Sequence, residues 1–245
     1  MIEEAIEITT PDGTSKGHLF RPDSGSHPGV VFLTDIFGIR QSQDDMARRL
    51  ANEGYAVVVP NIFYRSGEPP MFPFKPQFGE EKTMKRFGEL RDPLTPEAME
   101  RDVAAYVDFL SGREGVSDAP MGAVGFCFSG KLALYAAAIR PERIGAAASF
   151  HGGHLATDDD SSPHLLLPRV KGRLYFGHAV EDRSMPKEAI DKLDQALAKW
   201  GGKFESEVYD GAHHGWTVPD NGAYSKEPAE LAFKKLTEVF AAALG

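Results

Sequence analysis

One cysteine, two tryptophans and a deficit of positive charge mark what this 245-residue chain lacks. A single thiol at Cys127 permits no internal disulfide and no cysteine-rich metal site, which fits a reducing compartment and leaves the sulfur free for chemistry. With 27 Lys and Arg against 36 Asp and Glu the formal net charge is −9. That balance works against phosphate backbones and anionic membrane surfaces, so nucleic acid and membrane are not expected partners. The longest apolar runs, such as "LALYAAAI" (132 to 139), are too short to span a bilayer. The start, "MIEEAIEITT", is acidic and has no basic region followed by an apolar one, so no secretory signal is read and a cytoplasmic location is expected.

What is present is an alternation of buried strands and amphipathic helices. Residues 4 to 21 read as a hairpin around "PDGT". "VVFLTDIFG" and "YAVVVPNIF" are continuous apolar runs suited to strands covered on both faces, with a helix between them ending near Gly54. Helices at 96 to 111, 129 to 140, 186 to 200 and 228 to 243 alternate with strands at 121 to 126, 145 to 150, 173 to 178 and 203 to 209. The pattern predicts one α/β domain over residues 1 to 245, built on a mostly parallel open sheet with helices on both faces. Two stretches break the rhythm. Residues 65 to 95 are rich in Pro and Phe, show no clear strand, and read as a long loop serving as a lid or pocket wall. Residues 151 to 168 read as a polar loop leaving a strand end.

In "VGFCFSGK" (124 to 131) an apolar strand runs into a helix through a bend with Cys127 at its apex. Such a bend needs small residues two before and two after the nucleophile, and Gly125 and Ser129 occupy those places. Gly130 leaves room for the helix to pack. Ser129 fails the same test as nucleophile, because Lys131 would then stand where a small residue is required. The helix start also favours a thiolate. Taken alone, Cys127 reads equally as a small buried hydrophobe. An acid and a histidine follow in the order this arrangement demands: Asp182 in "RLYFGHAVEDRSMP" (173 to 186), and His213 and His214 in "EVYDGAHHGWTVP" (207 to 219).

These motifs, together with "DIFGI" (35 to 39), "GYAVVVPNIFYR" (54 to 65) and "SFHGG" (149 to 153), give a sequence that resembles the dienelactone hydrolase (carboxymethylenebutenolidase) family of the α/β-hydrolase fold. The resemblance implies a triad of Cys127, Asp182 and His214, and oxyanion-binding backbone amides at Ile36 and Phe128. It also implies a small-molecule ester or lactone substrate and no cofactor or metal. Where the family carries a glutamate that interacts with the resting thiol, this chain has Asp35, one methylene shorter, and modulation of the thiol is expected of it. Dienelactone-specific members carry an arginine four residues after the histidine. Here that place holds Val218, which favours neutral or weakly charged esters, with Lys82, Lys85 or Arg86 as substitutes for the missing contact. Phe37, Phe72, Phe74, Phe150, His151 and Trp216 are the candidate pocket residues.

Two other readings remain open from sequence. His151, His154, His213, His214 and the aspartates at 158 to 160 could serve a metal-dependent hydrolase, or the chain could be a non-catalytic ligand-binding module on a hydrolase fold. The same thiol and oxyanion donors would also suit activated phosphotriesters.

Overall fold

A computed structural model describes all 245 residues. Eight strands form one sheet in the order β1-β2-β4-β3-β5-β6-β7-β8. The hairpin of β1 (Ile2–Thr10) and β2 (Gly13–Arg21) is antiparallel and joins β4 (Ala56–Pro60) antiparallel. From β4 onward, through β3 (Gly29–Leu33), β5 (Met121–Phe126), β6 (Ile144–Phe150), β7 (Arg173–Ala179) and β8 (Phe204–Tyr209), every pairing is parallel. No helix is long and apolar enough to cross a membrane.

The strands alternate side chains between two cores. Val31 and Leu33 of β3, with Met121 and Ala123 of β5, enter the larger one. Val30, Phe32, Val124 and Phe126 enter the other. The first core is closed by α3 (Pro96–Ser111), α4 (Gly130–Ile139) and α5 (Lys187–Trp200), the second by α1 (Gln41–Asn52) and α6 (Lys226–Leu244). Burial on both faces is why the central strands read as unbroken apolar runs. Local signals set several helix ends. Thr95 accepts a hydrogen bond from Ala98 N–H at 3.2 Å to cap α3, with Pro96 in its first turn. Gly201, at φ 74°, stops α5.

Residues 65 to 95 differ from the loop read from sequence, because α2 (Glu81–Arg91) lies within them. Its buried stripe is Thr83, Phe87 and Leu90. The stripe has helical spacing but opens on a threonine, which leaves only Phe87 and Leu90 as apolar markers, and Gly88 beside them weakens the signal. Thr83 is buried because its hydroxyl accepts the N–H of Gln77 at 3.1 Å. The polar stretch after β6 likewise contains a 3-10 run at Pro163–Arg169.

The strand order reverses between β3 and β5: the chain goes outward from β3 to β4, then returns to the far side of β3. That leaves a crevice above the carboxyl ends of the two strands, where ligands bind in open α/β sheets. The bend leaving β5 depends on close backbone approach. A Cβ on Gly125 would lie 2.1 Å from Ser129 O, and one on Gly130 would lie 2.3 Å from Ser149 Oγ. We expect Gly125→Ala to destabilise the protein by about 3 kcal/mol or more, since the clashing atom is backbone and cannot rotate away. A urea unfolding midpoint unchanged from wild type would contradict this account of the bend.

Candidate active site

Cys127 sits where β5 passes into a 3-10 turn at the start of α4, with φ of 57°. A left-handed cysteine costs energy and persists only where its surroundings fix it. Ser129 supplies part of that constraint. Its hydroxyl is fully buried, donates to Leu33 O at 2.6 Å and accepts from Phe126 N–H at 3.0 Å. The serine therefore ties the bend to β3. The β6 end grips the same residue twice: Cys127 N–H donates to His151 Nδ1 at 3.0 Å, and Gly153 N–H donates to Cys127 O at 3.3 Å.

Asp182 and His214 leave the ends of β7 and β8 and meet. His214 Nδ1 donates to Asp182 Oδ2 at 2.6 Å. The other carboxylate oxygen accepts from Ser184 N–H at 2.8 Å and from Ser184 Oγ at 2.7 Å. Burial alone would raise the Asp182 carboxyl, but the bonds from His214 and Ser184 overcome it and leave it lowered to about 2. Burial would likewise depress His214. The hydrogen bond to Asp182, reinforced by the neighbouring Cys127 sulfur, raises it instead to about 10. The ring's hydrogen bonds of standard geometry all run through Nδ1, to Asp182 and more distantly to Ser184 at 3.5 Å. Cys127 is close enough to this ring to act on its titration. His213 is exposed at the cavity rim.

Cys127, His214 and Asp182 open onto a cavity of about 1160 Å³, which Ile36 and Phe128 also line. Within the loop after β3, hydrogen bonds run through Phe37 N–H to Asp35 Oδ1 at 3.0 Å and Gly38 N–H to Asp35 O at 3.0 Å. The Ile36 N–H takes no part in them. One wall of the cavity is aromatic. Phe37, Phe72 and Phe87 lie with ring centroids 5.6 to 5.7 Å apart, and Phe74 and Phe78 extend the cluster outward.

Of the expected site residues, Asp35 and His151 line the cavity but are engaged with other partners, and two others stand elsewhere. Asp35 does not engage the thiol: its carboxylate receives Arg40 Nη1 at 2.7 Å, Arg40 Nη2 at 2.8 Å and Gln43 Nε2 at 3.3 Å, besides the amide of Phe37. Its shorter side chain is saturated at the strand end. Phe150 and Trp216 do not line the cavity. Strand alternation sends Phe150 to the opposite face with Ala148, where it stacks on Phe126 at 5.9 Å and borders a smaller void of about 190 Å³. Trp216 is fully buried on that side, packed against Tyr209 and the edge of His151 at 5.0 Å each. His151 borders the cavity, but both ring nitrogens are engaged, Nδ1 by Cys127 N–H and Nε2 by Thr217 Oγ1 at 2.8 Å.

Lys82, Lys85 and Arg86 are off the cavity wall, and Arg91 and Arg183 are on it. Arg86 is spent on the carbonyls of Met71 and Ser66 and on Glu89. The residues weighed as metal ligands do not converge: no three His, Cys, Asp or Glu side chains form a ligand set, and Asp158 pairs with Lys192.

Sequence reasoning missed Ser184, Thr217 and the Arg40 bridge. Ser184 had a signal, since an aspartate followed two residues later by serine is a common side-chain-to-backbone turn. Arg40 had none. All five of its N–H groups are used, on Asp35, Gly38 O and Asp220, so it joins the loop after β3 to the loop that bears His214.

An open, mostly parallel sheet with helices on both faces, a sharp strand-to-helix bend at its carboxyl edge, and acid and histidine from later strand ends define an α/β-hydrolase-fold protein. The sequence profile of the dienelactone hydrolase family matches residues 16–244, and the chain belongs to that family and is a hydrolase. It is similar to the carboxymethylenebutenolidase of Rhodococcus opacus, 32% identical over 223 residues that cover 89% of this chain and 82% of that protein. A dienelactone hydrolase-like promiscuous phosphotriesterase from metagenomic libraries matches its fold with a TM-score of 0.82 at 21% identity, over 100% of this chain and 99% of the other. The dienelactone hydrolase of Anabaena variabilis matches with a TM-score of 0.70 at 18% identity, over 100% and 99%.

Two outcomes test this electrostatic description. In Asp182→Asn the carboxylate that favours the imidazolium is gone, so the His214 titration followed by NMR should fall from about 10 towards its ordinary value near 6.5. An unmoved midpoint would refute the assigned cause. Arg40→Ala strands the buried Asp35 carboxylate and should destabilise the protein by about 3 kcal/mol in urea unfolding. Adding Asp35→Asn to that variant should restore part of the loss.

Proposed function

We propose that this protein hydrolyses carboxylic esters and lactones through a covalent thioester, with Cys127 as nucleophile, His214 as general base and acid, and Asp182 as the carboxylate that orients it. The observation that carries the reading is the 2.6 Å bond from His214 Nδ1 to Asp182, which leaves Nε2 free to exchange a proton with a sulfur held on a strained bend. The raised basicity of His214 keeps the thiol proton on Nε2 as an imidazolium, so the sulfur attacks the carbonyl carbon as a thiolate.

The carbonyl π electrons move to oxygen, where the N–H groups of Phe128 and Ile36 meet the developing charge. Collapse breaks the bond to the alcohol oxygen, which takes the proton from His214. Water then gives a proton to the same nitrogen, attacks the thioester, and releases the acid. The sulfur leaves as a thiolate beside the imidazolium, and electrons and protons balance over the cycle without a cofactor.

Residues 65 to 95 serve as the wall of the substrate cavity, with Phe72, Phe74, Phe78 and Phe87 contacting the apolar part of the ester. The cavity exceeds the common range of about 300–1,000 Å³, which suits substrates with a bulky apolar group. The phosphotriesterase neighbour supports a second, weaker activity on activated phosphotriesters, whose electrophilic centre calls for the same nucleophile and oxyanion donors.

The test is a panel of aryl esters, lactones and a paraoxon-like phosphotriester run on wild type and Cys127→Ala. We expect an acyl adduct on Cys127 by mass spectrometry and a loss of about 10³-fold or more in kcat for the variant. Activity should survive chelators and vanish on thiol alkylation. Full turnover by Cys127→Ala would remove the nucleophile assignment, and absence of any turnover by wild type across the panel would favour a binding module.

A further inference from the structure

We propose that His151 is a positioning residue: as a neutral ring protonated on Nε2, it holds the backbone amide of Cys127 and thereby fixes the bend from which the sulfur projects. The proposal rests on the assignment of Cys127 as nucleophile. The tautomer follows from the partners. An amide can only donate, so Nδ1, which receives Cys127 N–H at 3.0 Å, carries no proton. The ring's one proton is then on Nε2 and is donated to Thr217 Oγ1 at 2.8 Å. His151 is 1% exposed, so water does not compete for either bond.

An imidazolium would set two N–H groups against each other. Burial drives the ring's titration well below its ordinary range, and the charge on His214, whose ring centroid is 5.1 Å away, acts in the same direction. Asp182, the other ionised group acting on this ring, pulls the opposite way without reversing the shift.

What the amide controls is the direction of the next one. The peptide group after Cys127 contains both its C=O and the Phe128 N–H, which point in opposite directions. Gly153 N–H takes the carbonyl at 3.3 Å, and His151 takes the N–H of the preceding peptide, so the two dihedrals of Cys127 are pinned from the loop after β6. Those dihedrals set the direction of the Phe128 N–H, and Phe128 lines the cavity. His151 therefore acts on the oxyanion site and on the sulfur through the backbone and touches neither the leaving group nor the transferred proton.

Three measurements decide the matter. In wild type labelled with ¹⁵N-histidine, His151 should show an unprotonated Nδ1 and a protonated Nε2 from pH 6 to 9. A proton on Nδ1, or an imidazolium in that range, overturns the proposal whatever the activity. His151→Leu should lower kcat by about 10- to 100-fold with KM within about twofold, the signature of misplacement rather than lost binding.

His151→Asn keeps an acceptor near the Nδ1 position and tolerates the φ of 41° found there, so it should restore kcat to within about fivefold of wild type. Should His151→Leu fail to fold, Thr217→Val supplies the second variant. It removes the Nε2 acceptor, and the ring should become a tautomer mixture with kcat down about threefold or more. Wild-type kcat in both Thr217→Val and His151→Leu, or equal losses in the Leu and Asn variants, would also overturn it. Turnover by Cys127→Ala would instead defeat the nucleophile assignment while leaving the tautomer result intact.

Discussion

A cysteine held at φ 57° is the constraint on which the rest of this molecule depends. The bend can form only because Gly125 lets Ser129 O approach to a distance no side chain would permit, and because Ser129 bonds back to β3. The result is a sulfur lifted out of the sheet at the point where strand order reverses. Helix α4 follows this turn, so the same bend places Cys127 at a helix N-terminus and at the cavity wall. The strain is local, and the bonds that hold it come from β3 and from the loop after β6.

Electrostatics around the bend are divided between two carboxylates with separate tasks. Asp182 spends one oxygen on His214 and the other on Ser184, so it remains ionised and keeps the imidazole basic. Asp35 lies nearer the bend's neighbouring strand but is neutralised by Arg40. The two charges are thus kept from acting on the same group. In a chain of net charge −9, the guanidinium that pairs Asp35 also reaches Asp220, and three charged groups become one bridge between two loops.

Much of the architecture was readable from residues alone, because its signals are local and repetitive. The apolar runs at 29 to 33 and 56 to 60, the threonine-proline start of α3 and the glycine after α5 each carry a short-range physical cause. Helix α2 was not readable, since its stripe contains Thr83, made apolar in effect by a partner at Gln77. In the candidate site, chain order alone indicated that Cys127, Asp182 and His214 follow strand ends. The placement of Phe150 needed the strand's phase, which one residue's shift would have inverted. The partners of Asp35 could not be inferred, because nothing in the pentapeptide around it reveals that a residue 180 positions beyond Arg40 shares the guanidinium.

That long bridge has a bearing on synthesis. On the ribosome Cys127 emerges about ninety residues before His214, and the loop that bears His214 is joined to the loop after β3 when Asp220 reaches Arg40. Truncated products that end before β8 therefore carry Cys127 without His214 or its bond to Asp182.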